Sequence, residues 1–308
     1  GRAARRMTEQ SGFEALTIHR LLGVSPQVRG FLHNEENPLE CDVLVVDEAS
    51  MLTLFLFRDI LRALKPGTRL ILVGDIDQLP SVGIGSVLSD VISSGVVPVG
   101  RLTKIFRQGA GSGIALSCAK INRGIIPPAV RPNRQLDFWL NNYDSADDVA
   151  DSIVRMVSMS MQPMGFDPIK DVQVLVPGHN GSCGEEALNR RIQEVLNPFS
   201  GIEREFVASH AVFRLGDRVI QNANNYELDV YNGDIGFIES VSAHGVVVLY
   251  DGERSVLYEG KVLSELALAY AMTIHRSHGS EFPAVIVGMS PQSLIMLQRN
   301  LLYTAVSR

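Results

Sequence analysis

Two short apolar runs, Val43-Leu44-Val45-Val46 and Leu70-Ile71-Leu72-Val73, constrain this chain more than any other feature. The first stops abruptly on two adjacent carboxylates, Asp47 and Glu48. The second stops on Gly74-Asp75, with Gln78 three residues further on. Apolar runs without alternation suit strands covered on both faces, as in a parallel sheet flanked by helices. In such sheets ligands lie beyond the carboxyl ends of the strands, where both runs place their polar residues. Between them, Leu52 to Leu64 carries apolar residues at helical spacing and is ended by Pro66-Gly67. Val43 to Gly83 therefore predicts a strand, a helix and a second strand that share one polar edge.

The same grammar recurs along the chain. Helical spacing appears over Ser86–Ile92, Ser112–Arg123, Asp147–Met161 and Glu185–Leu196, the last stopped by Pro198. Strands are predicted at Val96–Leu102, Val172–Val176, Ala269–Ile274 and Ala284–Met289. Ser25 to Glu40 has no helical period, and Gln27–Leu32 with a turn at Asn34 suits a small exposed hairpin. From Phe206 to Leu263 the pattern changes to short β-branched strands with turns at Asn232-Gly233, His244-Gly245 and Asp251-Gly252. The expectation is two α/β blocks, with a small all-β insertion of barrel type in the second.

At 308 residues and 45% hydrophobic content, the chain can build two such cores. A net charge of −6 does not advertise a nucleic-acid binder, although a local basic groove matters more than the average. Cys41, Cys118 and Cys183 are far apart and form no CxxC pair, which points to a reducing compartment without structural zinc or disulfides. No apolar run reaches membrane-spanning length, and the first residues lack the apolar centre of a signal peptide. A cytoplasmic α/β protein with no membrane partner is the expectation. The opening GRAARRM is already helix-like, and the last residues stop inside a helical pattern, so a longer parent protein is also expected.

Asp47 and Glu48 at a strand end carry the chemistry. Phosphoanhydride hydrolysis needs Mg²⁺ on the β- and γ-phosphates and a carboxylate that orients or deprotonates water. Asp47 suits the metal shell and Glu48 the water. The plainer reading, an acidic first turn favoured by the helix dipole, has about equal weight on these two residues alone. Gln78 can hydrogen-bond both a phosphate oxygen and the attacking water, and the plainer reading is a solvated loop glutamine. Arg107 and Arg308 suit arginine fingers, against ordinary surface arginines. Arg2, Arg5 and Arg6 form either a solvated helix face or a phosphate-backbone contact. His275, His278 and Glu281 lack the further ligands a zinc site requires. No GxxxxGK[ST] phosphate loop occurs in the sequence.

Taken in order, GRAARRM, LTIHRLL, VVDEASM, LVGDIDQLPSVGIGSVL, RLTKIFRQ, LAYAMTIHRSHGSEF and LLYTAVSR resemble the motifs of the RecD-like family of superfamily 1B DNA helicases. GDRVIQNANNYELDVYNGDIGFI resembles the start of that family's SH3-like insertion. The resemblance spans nearly the whole chain and implies two RecA-like P-loop NTPase-type domains, with an SH3-like all-β insertion in the second. Residues 1–123 would form domain 1A, with a β-hairpin pin at 25–40. Residues 124–205 and 264–308 would form domain 2A, and 206–263 domain 2B. ATP and Mg²⁺ are the implied cofactors. Asp47 would hold Mg²⁺, Glu48 act as base and Gln78 sense the nucleotide. Arg107 and Arg308 would contact the γ-phosphate, with Gly279 and Glu281 near ribose and phosphates. Arg2, Thr17, His19, Thr273, His275 and Ser277 would line the single-strand channel.

The implied activity is ATP-dependent 5′-to-3′ unwinding of DNA in recombination and repair, acting on single strands and single/double-strand junctions. Two other readings remain open: a non-catalytic DNA-binding module, or a RecD subunit working with the other subunits of an exonuclease V complex. His278 and Arg276 stand where the family usually has Gln and often Lys.

Overall fold

The computed structural model describes residues 2–24, 30–102, 112–128, 137–201, 205–209 and 211–308, without the side chains of residues 2, 3, 5 and 6. Arg107 and residues 25–29 of the expected pin lie outside the described residues, as does the side chain of Arg2. By contacts the chain divides into Ala3–Ala110 and Gly111–Arg308, the latter with the first two residues.

The first unit opens with α1 (Arg2–Ser11) and α2 (Ile18–Leu22), followed by β1 (Val43–Val46), α3 (Leu54–Arg62), β2 (Arg69–Leu72) and α4 (Val87–Ser94). β1 and β2 pair in parallel, with Val45 opposite Ile71 and Val46 opposite Leu72. Thr53 caps α3, its hydroxyl accepting from Leu56 N at 3.2 Å. Val46, Ala49, Leu52, Ile60, Val87 and Leu88 form a buried core, joined by the partly buried Leu44, Leu70 and Leu72.

The opposite sheet face corrects the sequence reading. Val43, Val45, Ile71 and Val73 are 44–48% exposed, so among the described residues this two-stranded sheet is covered on one face. An unbroken apolar run reports strand propensity but does not say how many layers pack on it. The strand expected at 96–102 is absent as well. Gly95, Pro98 and Gly100 interrupt the run, Val96 is 81% and Leu102 98% exposed, and residues 96–102 adopt no regular structure.

The second unit begins with α5 (Gly113–Asn122), which packs against α8 (Arg299–Val306) at its other end. The expected domain boundary at residue 123 is therefore late, since α5 belongs with the second unit. α6 (Ala146–Arg155), β3 (Val172–Val176) and α7 (Glu185–Leu196) follow. β3 is buried along its whole length and lies in the middle of a parallel sheet. Its neighbours are β11 (Ala271–Thr273) and β12 (Ala284–Val287).

Between α7 and β11 lie β4 (Glu205–Val207), β5 (Val212–Arg214), β6 (Arg218–Gln221), β7 (Ile235–Val241), β8 (Gly245–Tyr250), β9 (Arg254–Glu259) and β10 (Leu266–Leu268). β4 and β5 form a hairpin, and the others an antiparallel sheet in the order β10-β6-β7-β8-β9. At the turn between β8 and β9 both Asp251 (φ 55°) and Gly252 (φ 76°) are left-handed, the geometry that closes tight hairpins. The insertion reaches past the expected limit at 263, because β10 pairs with β6 and only Ala269-Tyr270 separates it from β11. A continuous apolar sequence from Leu266 to Met272 gave no sign of that change of sheet.

Candidate nucleotide and nucleic-acid site

In the first unit the parallel register carries the tails of β1 and β2 off the same sheet edge. Val73 N donates to Val46 O and Ala49 N to Val73 O, both at 2.8 Å, so the two tails run side by side. Asp47 is exposed and Glu48 half-buried. Asp47 Oδ1 accepts from Glu48 N at 2.9 Å. Glu48 itself is left-handed, at φ 51° and ψ 39°. A non-glycine residue held there is uncommon, and such strain concentrates at functional positions. Residue types alone did not reveal it.

On the neighbouring tail Asp75 organises a tight turn. Its carboxylate accepts from Asp77 N at 3.0 Å and its carbonyl from Gln78 N at 3.3 Å, which leaves Gln78 half-buried near the same edge. Gly74 permits the approach of the two tails. A Cβ there would meet Ala49 N and Ser50 N at 3.0 Å and Leu88 Cδ2 at 2.9 Å. Asp47 and Glu48 thus lie on the tail of β1, and Gln78 on the neighbouring tail of β2. Thr17 and His19 lie elsewhere in this unit. Thr17 caps α2, accepting from Arg20 N at 3.4 Å. His19 is exposed, with its ring tilted 56° to that of Phe31 at 5.8 Å.

In the second unit Gly279, Glu281 and Arg308 form one corner. Gly279 is left-handed (φ 71°), Glu281 is exposed, and Phe282 N donates to Arg308 O at 3.3 Å, fastening this segment to the end of α8. His278 belongs to the same corner. Its Nδ1 lies 3.2 Å from the His275 carbonyl, which can only accept, so Nδ1 carries the proton and Nε2 the lone pair. Burial, reinforced by the charge of Arg308, pushes the imidazole down to about 4. His275 is half-buried and lowered by burial.

Thr273 and Ser277 correct the expectation of channel-lining hydroxyls. They are 4% and 0% exposed, and Ser277 Oγ donates to Ile274 O at 2.7 Å. Their place in a tight turn after a buried strand turns both side chains inward. Of the three side chains expected there, His275 alone is left partly open to solvent.

Two polar devices with no motif signal hold this unit together. Asn189 on α7 makes two hydrogen bonds to the edge strand, its Nδ2 donating to Ala271 O and its Oδ1 accepting from Ala271 N, both at 2.9 Å. Asp217, fully buried, accepts from Gln193 Nε2 (2.6 Å), Asn197 Nδ2 (2.7 Å), Arg214 N (2.7 Å) and Tyr270 OH (2.8 Å). Burial raises its carboxyl and these donors oppose the rise.

Family models match in the same places. Residues 1–84 match an AAA domain, 188–250 the ATP-dependent RecD-like DNA helicase SH3 domain, and 268–308 the UvrD-like helicase C-terminal domain. Along its full length the chain is 35% identical to the ATP-dependent RecD2 DNA helicase of Deinococcus radiodurans. The chain is similar to RecD-like helicases over its whole length. It is also 31% identical, over 99% of its length, to the RecBCD enzyme subunit RecD of Mycolicibacterium smegmatis. It spans 40% of the former relative and 54% of the latter. A Pif1 helicase solved from Bacteroides with ADP-AlF3 and ssDNA shares the fold, at a TM-score of 0.55 and 20% identity over 98% of this chain and 77% of that one. The architecture is mixed α/β with the fold of that Pif1 helicase, and residues 188–250 match the RecD-like SH3 domain.

Proposed function

We propose that the protein hydrolyses ATP to move along single-stranded DNA in the 5′-to-3′ direction and to open single/double-strand junctions, in recombination and repair. The observation that carries this reading is the strained Glu48 beside Asp47, at a parallel sheet edge shared with Gln78. Similarity to relatives named as helicases supports it.

The donor set suits Mg²⁺. One or two carboxylates are what a hard cation takes from protein when waters and phosphate oxygens fill its other positions. Among the described residues no cluster of three or more His, Cys, Asp or Glu could hold a metal by itself. Asp47 would hold the ion, whose charge offsets that of the phosphates. Glu48, fixed by its backbone and not by a flexible loop, orients and deprotonates the attacking water. Gln78 donates to phosphate and accepts from that water. Arg308 and Arg107 stabilise charge on the transferring group, and Gly279 and Glu281 border the nucleotide. Arg2, Thr17 and His19, together with the turn at Thr273–Ser277, contact the DNA strand. With Thr273 and Ser277 inward, that turn offers its backbone and His275.

Three cysteines that form no disulfide support a cytoplasmic setting. The test is DNA-stimulated ATPase and forked-duplex unwinding by the full-length protein. Glu48→Gln is expected to lower the ATPase by about 10²- to 10⁴-fold while nucleotide binding persists. Undiminished turnover in that variant removes Glu48 from the chemistry. Wild-type DNA binding without ATPase activity would instead favour a non-catalytic binding module.

Similarity to a RecBCD enzyme subunit supports a second reading, that of a component of an exonuclease V complex. Unwinding by the purified chain product alone favours the stand-alone motor, and unwinding that requires added nuclease subunits favours the complex.

A further inference from the structure

The Ile274–Ser277 segment is a single 3₁₀ turn that leaves the edge strand β11. So short a turn has little stability of its own, so its position depends on what holds it from outside. Arg276 reaches out of the turn in two directions. One arm, Nη1, donates to Glu185 Oε1 at 2.6 Å. The other, Nη2, donates to Asn222 Oδ1.

The two partners belong to different parts of the unit. Glu185 is the first residue of α7 and only 4% exposed, so its charge is buried where the helix dipole favours an anion. Its other oxygen lies 2.6 Å from Nδ1 of His179, on the loop that leaves β3. Asn222 follows β6 of the insertion, and its own N–H donates to Glu265 O at 2.7 Å. The insertion in turn shares one apolar core with α6, α7 and the parallel sheet, so Asn222 sits on a fixed frame.

We propose that Arg276, anchored by the buried carboxylate of Glu185, is the positioning residue that fixes the Ile274–Ser277 turn between α7 and the β insertion for DNA binding. This rests on the DNA-translocase reading above. A guanidinium has a planar fork whose amino groups point to two acceptors at once. An ammonium at this position keeps the charge on Glu185 but loses the rigid reach to Asn222. Arginine at this position therefore couples the turn to the insertion.

The test uses the full-length protein and a fluorescein-labelled oligothymidylate followed by anisotropy, with Arg276→Lys, Asn222→Ala and the double variant. Losing one charge-assisted hydrogen bond predicts a Kd raised about tenfold in Arg276→Lys and less in Asn222→Ala. The double variant is expected to bind no more weakly than Arg276→Lys, because both changes cut the same arm. Wild-type affinity in Arg276→Lys, or effects that multiply in the double variant, would overturn the positioning role. If Arg276→Lys also lowers the melting midpoint, Asn222→Ala decides, since that side chain is exposed. Weaker binding there supports the coupling and unchanged binding overturns it. A wild-type protein that binds no oligothymidylate overturns the DNA reading itself, and the positioning role with it.

Discussion

His278 shows how one side chain can set a pH dependence. Its imidazole is held neutral, with Nδ1 on the His275 carbonyl, Nε2 buried with no hydrogen-bond partner among the described residues and Arg308 opposing a positive charge. The folded chain therefore binds a proton less readily than the unfolded chain, where histidine titrates near its ordinary value. The stability this residue contributes is complete above the unfolded value and is lost as pH falls through the window from 6.5 to about 4. The loss should reach about 1.4 kcal/mol by pH 5.5. Urea midpoints at pH 7.5 and 5.5 test this: His278→Gln should flatten the difference, and an equal slope in both proteins would place the titrating group elsewhere. Glu48 makes the complementary point at the same scale. Its identity as a strand-end carboxylate was plain from VVDEASM, but its left-handed backbone arises from the way Ala49 pairs with Val73 and is visible only in three dimensions.

Among the elements, β3 and α7 begin and end where the residues say they should. A continuous apolar run needs burial on both faces, and Pro198 cannot continue a helix. β1 and β2 were legible as strands but not as a sheet open on one side, because run length carries no information about the second layer. Residues 96–102 have the composition of a strand and pair with no strand among the described residues. The motifs singled out Asp47, Glu48, Gln78, Gly279 and Arg308 as candidates, whereas the burial of Thr273 and Ser277 follows from the tight turn after β11. Asn189 had no such signal, since one asparagine on a helix reads as a surface residue. Its amide completes the hydrogen bonding of β11 at an open sheet edge. Asn189→Ala would orphan the N–H and C=O of Ala271, at a cost of about 2–4 kcal/mol. Chemical denaturation measures that cost directly, and a change below about 0.5 kcal/mol, typical of an ordinary surface substitution, would mean that water replaces the amide without penalty.

At the scale of the molecule, the sequence marks an all-β insertion within the second block, and the side chains show that it shares a core with its host. Phe213, Val219, Val246, Tyr258 and Leu266 of the insertion belong to one buried cluster with Val174 of β3, Leu188 and Ile192 of α7 and Ile286 of β12. The Asp217 hub ties the β5–β6 turn to α7 and to Tyr270, where the chain passes from β10 to β11. Arg218 on β6 donates to the carbonyls of Ile169 and Val172, each at 2.9 Å. A shared core with buried polar ties predicts one cooperative transition for Gly111–Arg308. The core around Ile60 and Val46 in Ala3–Ala110 is a separate cluster. Leu188→Ala in α7 and Leu266→Ala in β10, both at fully buried positions, should each cost about 2–5 kcal/mol. In either variant, hydrogen exchange should accelerate together in β3 and β8, while Ile60→Ala should accelerate exchange in α3 and β1 and leave β3 protected. If Leu266→Ala loosens β8 but leaves β3 at wild-type protection, the insertion is an independent module. The turn carrying Arg276 would then be tied to a part that can move by itself.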